Sequence, residues 1–377
     1  MRLTSDAVVL VTGGAGFIGS HVANSLAEGG WRVRVIDSLA EQVHGAEPGF
    51  PQHLHSDVER IEGDIRNRDT LRSALAGVTH VCHLAAAVGV GQSMYQINHY
   101  VDVNNRGTAL LLEALIEQPV QKLVVASSMS VYGEGLYCCH GVSGNFPTWE
   151  PPLRSREQLR RGEWELRSTG GILEPLPTPE TKQVSPASVY ALTKYDQEQL
   201  CLMFGAAYDV PTVALRFFNA YGPYQALSNP YTGVLAIFAS RCLNGNPPLI
   251  FEDGRQCRDF VSVHDIAQAC RLALASSSCG EVFNVGSGES RSVLDVANSV
   301  IDVLQAGVEP QVTGKCRWGD IRHCYADIDK ARQLLGYRPR VSFEDGLREL
   351  AEWLSRAPAL DQFMIANAEL ERRGLTL

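Results

Sequence analysis

This 377-residue chain has no surplus of positive charge, no long apolar run and no paired cysteine spacing. Lys and Arg number 33 against 42 Asp and Glu, a net charge of −9, so no basic surface argues for nucleic acid. Phosphate-bearing small molecules stay open, because a few local arginines suffice to bind them. No apolar stretch reaches the roughly 18 residues of a membrane span. The first apolar run, Ala7–Val11, leads straight into glycines and does not read as a secretory signal. Ten cysteines are scattered, mostly in apolar segments, which fits reduced thiols and a cytoplasmic setting. No internal repeat is present. What is there is an ordinary globular balance, 45% hydrophobic and 20% charged, long enough for two subdomains.

The stretch "VLVTGGAGFIGSH", Val9–His21, places four glycines in seven residues between a β-branched run and apolar residues at helical spacing. Glycine permits a tight turn there and a close approach of backbone to a large anion, which the N–H groups of the helix start then face. The spacing reads as G-x-G-x-x-G from Gly14, Gly16 and Gly19, and equally as G-x-x-G-x-x-G from Gly13. A second strand, Trp31–Ile36, ends at Asp37. An acid roughly 20 residues past the glycines can accept from the adenosine ribose hydroxyls and repel a 2′-phosphate. The order strand, glycines, helix, strand, acid therefore favours NAD over NADP.

Further strands are expected at Val58–Gly63, Val78–Leu84, Lys122–Ser128 and Thr212–Arg216. Helices are expected at Asn67–Ala76, Tyr100–Glu117 and Val189–Tyr208. This alternation predicts an α/β fold, a doubly wound parallel sheet of Rossmann type, with a smaller C-terminal substrate-binding subdomain. The expected division is residues 1–215 for the NAD-binding domain and 216–377 mainly for the substrate subdomain, with 255–280 returning to the first. Glu134–Lys182 is too long and irregular for a βα loop. It reads as an insertion with one helix, Ser155–Arg161. Its place between Ser128 and Tyr190 suggests a lid over the substrate, mobile until substrate binds. Arg154, Arg156, Arg160 and Arg161 are its candidates to reach a phosphate. Cys138, Cys139 and His140 are conceivable metal ligands, but no second C-x-x-C follows, so no metal is expected.

Ser128 stands at the C-terminal end of its strand, where open α/β sheets place ligands. In "SVYALTK", Tyr190 and Lys194 stand at i, i+4 on one helix face. An ammonium beside a phenol favours the phenolate, so Lys194 should lower the pKa of Tyr190 and suit it to general base work. Ser128 can hydrogen-bond the same substrate oxygen. Together they suit proton removal from a sugar or alcohol hydroxyl as hydride leaves for a nicotinamide.

With these pieces in order, the chain resembles an extended short-chain dehydrogenase/reductase of the nucleotide-sugar epimerase/dehydratase family. The matching motifs are "TGGAGFIGS" at Thr12–Ser20, Asp37, "GDI" at Gly63–Ile65, "HLAA" at His83–Ala86, Asn104, "SSMSVYG" at Ser127–Gly133 and "SVYALTK" at Ser188–Lys194. They continue with "RFFNAYGP" at Arg216–Pro223, "RDFVSVHDIA" at Arg258–Ala267 and "FNVGSG" at Phe283–Gly288. The resemblance implies NAD held by Gly13, Gly16, Phe17, Ile18, Gly19 and Asp37. It places Asp64 and Ile65 at the adenine and Leu84, Ala85 and Ala86 along the cofactor. Asn104, Tyr190 and Lys194 complete the set, Lys194 at the nicotinamide ribose. It implies a nucleotide-diphosphate sugar, dTDP- or UDP-linked, bound by Ser130, Asn219, Arg258, Arg317, Asp320 and Cys324. Cys324 falls where UDP-galactose 4-epimerases gate sugar size, and its small side chain suggests a roomy pocket.

The residues after Ser128 narrow the reaction. Dehydratases of this family carry T-D-E-V-Y-G there, whose acids perform the elimination; this chain has Met129 and Ser130. Decarboxylases carry Glu where Ser130 stands. A 4-epimerase remains, and the pattern "LAAAVGVGQSMY" with "SLAEQVHG" resembles the bacterial branch that converts dTDP-L-rhamnose to dTDP-6-deoxy-L-talose. UDP-hexose or UDP-hexuronate 4-epimerisation, or another NAD-dependent nucleotide-sugar oxidation, is the alternative. A non-catalytic NAD-binding regulator would be expected to lose the Tyr or Lys. Apolar residues in Tyr100–Glu117 and in the helix from Val189 exceed what one sheet face covers. Family members pair these helices, which implies a homodimer.

Overall fold

A computed structural model of the chain describes residues 7–45, 49–139, 148–169, 171–225, 233–356 and 363–376. Seven parallel strands form its main sheet: β1 (Val8–Thr12), β2 (Arg32–Asp37), β3 (Glu59–Glu62), β4 (His80–His83), β5 (Lys122–Ser128), β6 (Thr212–Phe217) and β7 (Glu281–Val285). Their spatial order is β7-β6-β5-β4-β1-β2-β3. Alternate residues of β1 feed opposite faces, as the two-residue period of a strand requires. Val9 and Val11 join one core with Val22, Leu26 and Phe283, while Val8 and Leu10 join another with Leu71, Leu111 and Leu123. Both faces are thus covered, which explains why these strands read as continuous apolar runs.

The covering helices are α1 (Phe17–Glu28), α2 (Arg68–Leu75), α3 (Gly107–Glu117) and α4 (Val189–Tyr208). The remaining long helices are α5 (Val234–Leu243), α6 (Val263–Ala275), α7 (Val293–Leu304), α8 (Phe343–Leu354) and α9 (Phe363–Arg372). Side-chain caps start several of them: Asn67 accepts from the amides of Asp69 and Thr70, and Ser188 accepts from that of Ala191. α5, α7 and α8 pack into a separate core through Phe238, Val296, Val300, Phe343 and Leu350, the body of the smaller subdomain. The chain then returns to the sheet: α6 lies against α1, and β7 pairs with β6 from Val213↔Glu281 to Phe217↔Val285. This return runs on past Gly280 to Val285.

Two expected elements differ. The helix expected from Tyr100 to Glu117 is broken in its first half by a π-helical turn, Val101–Arg106. The expected insertion forms small strands, Leu136–Cys138 between Glu174–Leu176 and Thr148–Trp149, and one short helix, Arg156–Arg160. It buries Tyr137, Leu159, Leu166 and Leu173.

The insertion is anchored by charge. Arg154 reaches Glu252 at 2.7 Å and Glu134 at 3.6 Å. Arg322, fully buried, meets Glu252 at 2.8 Å, Asp253 at 2.7 Å and Glu165 at 2.5 Å. The backbone N–H of Arg322 donates to Glu134 at 2.9 Å. Two buried guanidiniums are tolerable only because carboxylates surround them. The expectation that Arg154 reaches a phosphate is therefore corrected: its guanidinium is enclosed by Glu134, Glu252 and the Asp320 carbonyl. Arg161 pairs with Glu157 and Glu163 at the surface.

Candidate active site

The strand order reverses between β1 and β4, and a cavity of about 690 Å³ opens at their C-terminal ends and continues into the smaller subdomain. Gly13 has φ +70°, and a Cβ there would lie 2.9 Å from the Ala85 backbone. A Cβ on Gly19 would lie 2.0 Å from the Gly13 carbonyl. Gly13, Gly16 and Gly19 line the cavity, while Gly14 is held tight from behind, since a Cβ there would lie 2.4 Å from the Val35 side chain. Gly16 caps α1 without a side chain, and no acid stands in the first turn. The N–H groups of that turn face the cavity lined by Gly16, Phe17 and Ile18, a cradle for an anion.

Asp37 turns inward, accepting from the amides of Ala15 at 3.0 Å and Leu39 at 2.9 Å. Asp64 and Ile65 line the same end of the cavity. Burial alone would raise the Asp64 carboxyl, but hydrogen bonds from Arg66 hold it below its ordinary range. Leu84, Ala85 and Ala86 form the wall after β4. Asn104 is corrected from cofactor contact to positioning. It is fully buried in the π-helical turn, and its amide accepts from Ala87 N at 2.7 Å and donates to Ala87 O at 3.1 Å and Thr193 Oγ1 at 2.9 Å. It holds the β4 loop against α4.

Ser128, Tyr190 and Lys194 meet on the cavity floor. Register places Ser128 beside Phe217, and the Ser93 hydroxyl accepts from Tyr190 N at 2.9 Å. Burial raises the Tyr190 phenol, and its hydrogen bond with Ser128 pulls it partly back. The expected lowering by Lys194 does not appear. Its Nζ donates to Gln197 Oε1 at 2.7 Å, and burial lowers the ammonium to about 8. Ser130 donates to Ser128 at 2.9 Å.

Sequence reasoning missed the polar chain behind these groups. Thr12 Oγ1 lies 2.7 Å from His83 Nδ1, and His83 Nε2 lies 2.9 Å from Thr108 Oγ1. Gln197 Nε2 donates to Thr108 at 2.8 Å, so the glycine turn and Lys194 share one buried network. Burial, then the charge of Lys194, lowers the His83 imidazole to about 3. The available signal was Gln197, a polar residue one turn beyond Lys194 on the same helix face.

On the substrate side Asn219, Arg258, Arg317 and Asp320 line the cavity. Asn219 Oδ1 is buried without a hydrogen-bond partner. Arg258 donates to the carbonyls of Cys257 at 2.9 Å, Arg322 at 3.0 Å and Ile321, which fixes its guanidinium at the cavity edge. Arg317 stacks on Phe251 at 4.2 Å.

Cys324 is corrected. It does not line the cavity; it is buried in the core, where Thr178 of the insertion lies 3.7 Å from its Sγ. A Cβ on Gly135 would lie 3.1 Å from Cys324 Cα, so the insertion covers the position expected to gate the sugar. No described residue of 134–182, the expected lid, lines the cavity. Cys138 is buried and Cys139 Sγ lies 3.0 Å from Ser168 Oγ, while His140 falls outside the described residues. Among the described residues no helix is long and apolar enough to cross a membrane.

Comparison with known proteins gives the family and the fold. A model of the NAD dependent epimerase/dehydratase family matches residues 9–145 and 168–286. The dTDP-L-rhamnose 4-epimerase of Burkholderia thailandensis is 35% identical over 353 residues, covering 92% of this chain and 95% of that protein. The UDP-glucose 4-epimerase of Thermotoga maritima, solved with UDP-glucose, superposes with TM-score 0.75 at 30% identity, over 93% of this chain and 99% of that one. The UDP-glucose 4-epimerase of Thermus thermophilus, solved with NAD, gives 0.72 at 31%, over 93% and 100%.

Proposed function

This chain belongs to the NAD dependent epimerase/dehydratase family, and from that membership we propose that it is a nucleotide-sugar 4-epimerase acting on dTDP-L-rhamnose to give dTDP-6-deoxy-L-talose. One observation carries the reaction type: the cavity beside Ser128 and Tyr190 is walled by Met129 and Ser130, with no carboxylate following Ser128 to run an elimination. The sugar rests on likeness to the Burkholderia enzyme.

The cradle of Gly13, Gly16 and Gly19 fits NAD, since any Cβ on Gly13 or Gly19 would clash with backbone. Asp37 suits the adenosine ribose hydroxyls, and its charge disfavours a 2′-phosphate. NAD bound there supplies a reversible hydride acceptor. Tyr190 takes the proton of the sugar's C4 hydroxyl and later returns it, while Ser128 hydrogen-bonds the same oxygen. Lys194, held by Gln197, offers a donor for the cofactor ribose. The 4-keto sugar turns within the cavity, so the hydride returns to the other face. Arg258, Arg317 and Asn219 bind the diphosphate end.

The exposed Val101, Ile116, Leu192 and Met203 mark an apolar surface near α3 and on α4 and support a homodimer formed through these helices. UDP-hexose epimerisation is a second reading, favoured by the two solved UDP-glucose 4-epimerases. The test is incubation of the NAD-loaded protein with dTDP-L-rhamnose, UDP-glucose and UDP-glucuronate, with products identified by NMR. A C4 epimer of dTDP-L-rhamnose supports the proposal. Turnover of a UDP-sugar alone would transfer it to the second reading, and no epimer from any would overturn both.

A further inference from the structure

Behind Arg258, on the face turned away from the cavity, stands a thiol that the mechanism above does not use. Cys257–Arg258 and His323–Cys324 are short strands paired in parallel, Cys257 opposite His323 and Arg258 opposite Cys324. Successive side chains of a strand point to opposite faces, and paired residues share one. Arg258 lines the cavity; Cys257 does not, and it shares its face with His323. Seven of the ten cysteines are buried; Cys139 and Cys257 are half-buried, and Cys279 is exposed.

Three side chains line up there. Cys257 N donates to His323 Nδ1 at 3.1 Å, so the ring turns a lone pair toward Cys257 and keeps its proton on Nε2, 3.1 Å from Glu165 Oε2. Glu165 is held in turn by Arg322 Nε at 3.2 Å. Cys257 Sγ hydrogen-bonds the same imidazole and lies 3.5 Å from Arg255 O. Burial would raise this thiol, but hydrogen bonds from His323 and Ser290 and the positive charge of His323 and Arg258 bring it below its ordinary value. Burial would lower the imidazole, but its bonds with Cys257 and Glu165 raise it. By contrast, burial pushes the thiols of Cys201, Cys242, Cys316 and Cys324 up. A thiol within reach of solvent, beside a base that an acid orients, is the arrangement that makes sulfur nucleophilic.

We propose that Cys257 is a thiol–disulfide exchange site that controls the grip of Arg258 on its anion. The exchange partner is a low-molecular-weight disulfide, R–S–S–R. His323 takes the thiol proton at Nδ1, and the Cys257 sulfur attacks one sulfur of the partner. A Cys257–S–S–R bond forms and the original S–S bond breaks. The departing thiolate collects the proton from His323 and leaves as R–SH. Cys257 is oxidised and the departing sulfur reduced, so the exchange needs no other reactant. The adduct then occupies the space beside His323. Arg258 is fixed by the carbonyls of Cys257, Arg322 and Ile321, the backbone of these same two segments. Parting them slackens the guanidinium on the far face. This consequence rests on the reading of Arg258 as a diphosphate ligand.

The test treats the full NAD-loaded chain with glutathione disulfide at neutral pH and follows each cysteine by peptide mass mapping. Cys257 should exchange about tenfold faster than the exposed Cys279, and His323→Gln should remove that advantage while Cys279 reacts as before. The modified chain should bind UDP and dTDP about tenfold more weakly by calorimetry, with NAD retained, and a reducing thiol should restore the affinity. Cys257→Ser should bind them as the parent does and ignore the disulfide. Exchange rates of the unmodified chain decide the matter if His323→Gln fails to fold. Cys257 reacting no faster than Cys279 overturns the exchange site. A Cys257 adduct that binds UDP and dTDP within about twofold of the parent overturns the control of Arg258 and leaves the epimerase reading intact. Failure of the untreated chain to bind UDP or dTDP overturns the diphosphate reading and that control together, while the exchange rates still judge the thiol.

Discussion

The two halves of the cavity are built by different means. On the side we propose for the cofactor, the cradle is mostly backbone: glycines without room for a Cβ, a helix start and strands meeting in register, with the Asp37 side chain at one end. Its parts are close in sequence, and each motif is complete within a few residues. On the side we propose for the substrate, the walls are side chains that distant segments hold in place, as the carbonyls of Ile321 and Arg322 hold Arg258. Arg322 alone joins Glu134, Glu165, Glu252 and Asp253. The contrast teaches that a cofactor shared across a family can be held by local geometry, whereas the substrate pocket depends on long-range pairing that a single insertion can redirect.

Mutations can break this comparison or sharpen it. Tyr190→Phe should have the largest effect, a loss of about a thousandfold in turnover or about 4 kcal/mol of barrier, with NAD still bound. Turnover assays beside cofactor absorbance check it, and near-parental epimerisation would refute the role of the phenol. Arg322→Met leaves buried carboxylates without their cation and should cost about 3 kcal/mol or more in denaturant unfolding. If the comparison holds, NAD binding survives this variant better than substrate binding does. Asp37→Ala should shift the NAD/NADP preference by about tenfold toward NADP, about 1.4 kcal/mol, measured by titration of each cofactor.

The smallest effect concerns acid. Burial would raise Glu165, but hydrogen bonds from His323 and Arg322 prevail and hold it at about 2, below the ordinary 4.5. A depressed carboxyl stabilises the folded state fully above its unfolded pKa. The anchoring of the insertion by Glu165 should therefore be complete above pH 4.5 and fade as pH falls toward 2. Trp164 fluorescence across that range should show a transition that Glu165→Gln flattens.

Much of the cofactor half was legible. β5 and α4 match their expected bounds at Lys122–Ser128 and Val189–Tyr208, because β-branched content marks the one and the Ser188 cap and helical spacing the other. β7 escaped notice because only Val282, Phe283 and Val285 are apolar and a serine-rich loop precedes it. The π-helical turn is invisible to a 3.6-residue period. The insertion looked like a mobile lid because its Arg and Glu residues resemble a solvated surface. Only the fold shows that Arg154 and Glu134 are buried together. Cys324 misled for the same reason: Thr178, which covers it, comes from a distant part of the chain. Nothing in the spacing of 363–370 tells which surface that helix covers.

The anchoring of the insertion also sets an order of assembly. Ser128 and Tyr190 flank it, so bringing the two together closes a loop that contains it. Its ties reach Glu252 and Arg322, far along the chain, and such contacts pay their loop entropy before any stabilisation arrives. Strands β1 to β5 and the glycine turn need none of them. A refolding chain should thus regain its grip on the dinucleotide first and turnover later, with the interval between the two measuring how slowly the buried arginines find their acids.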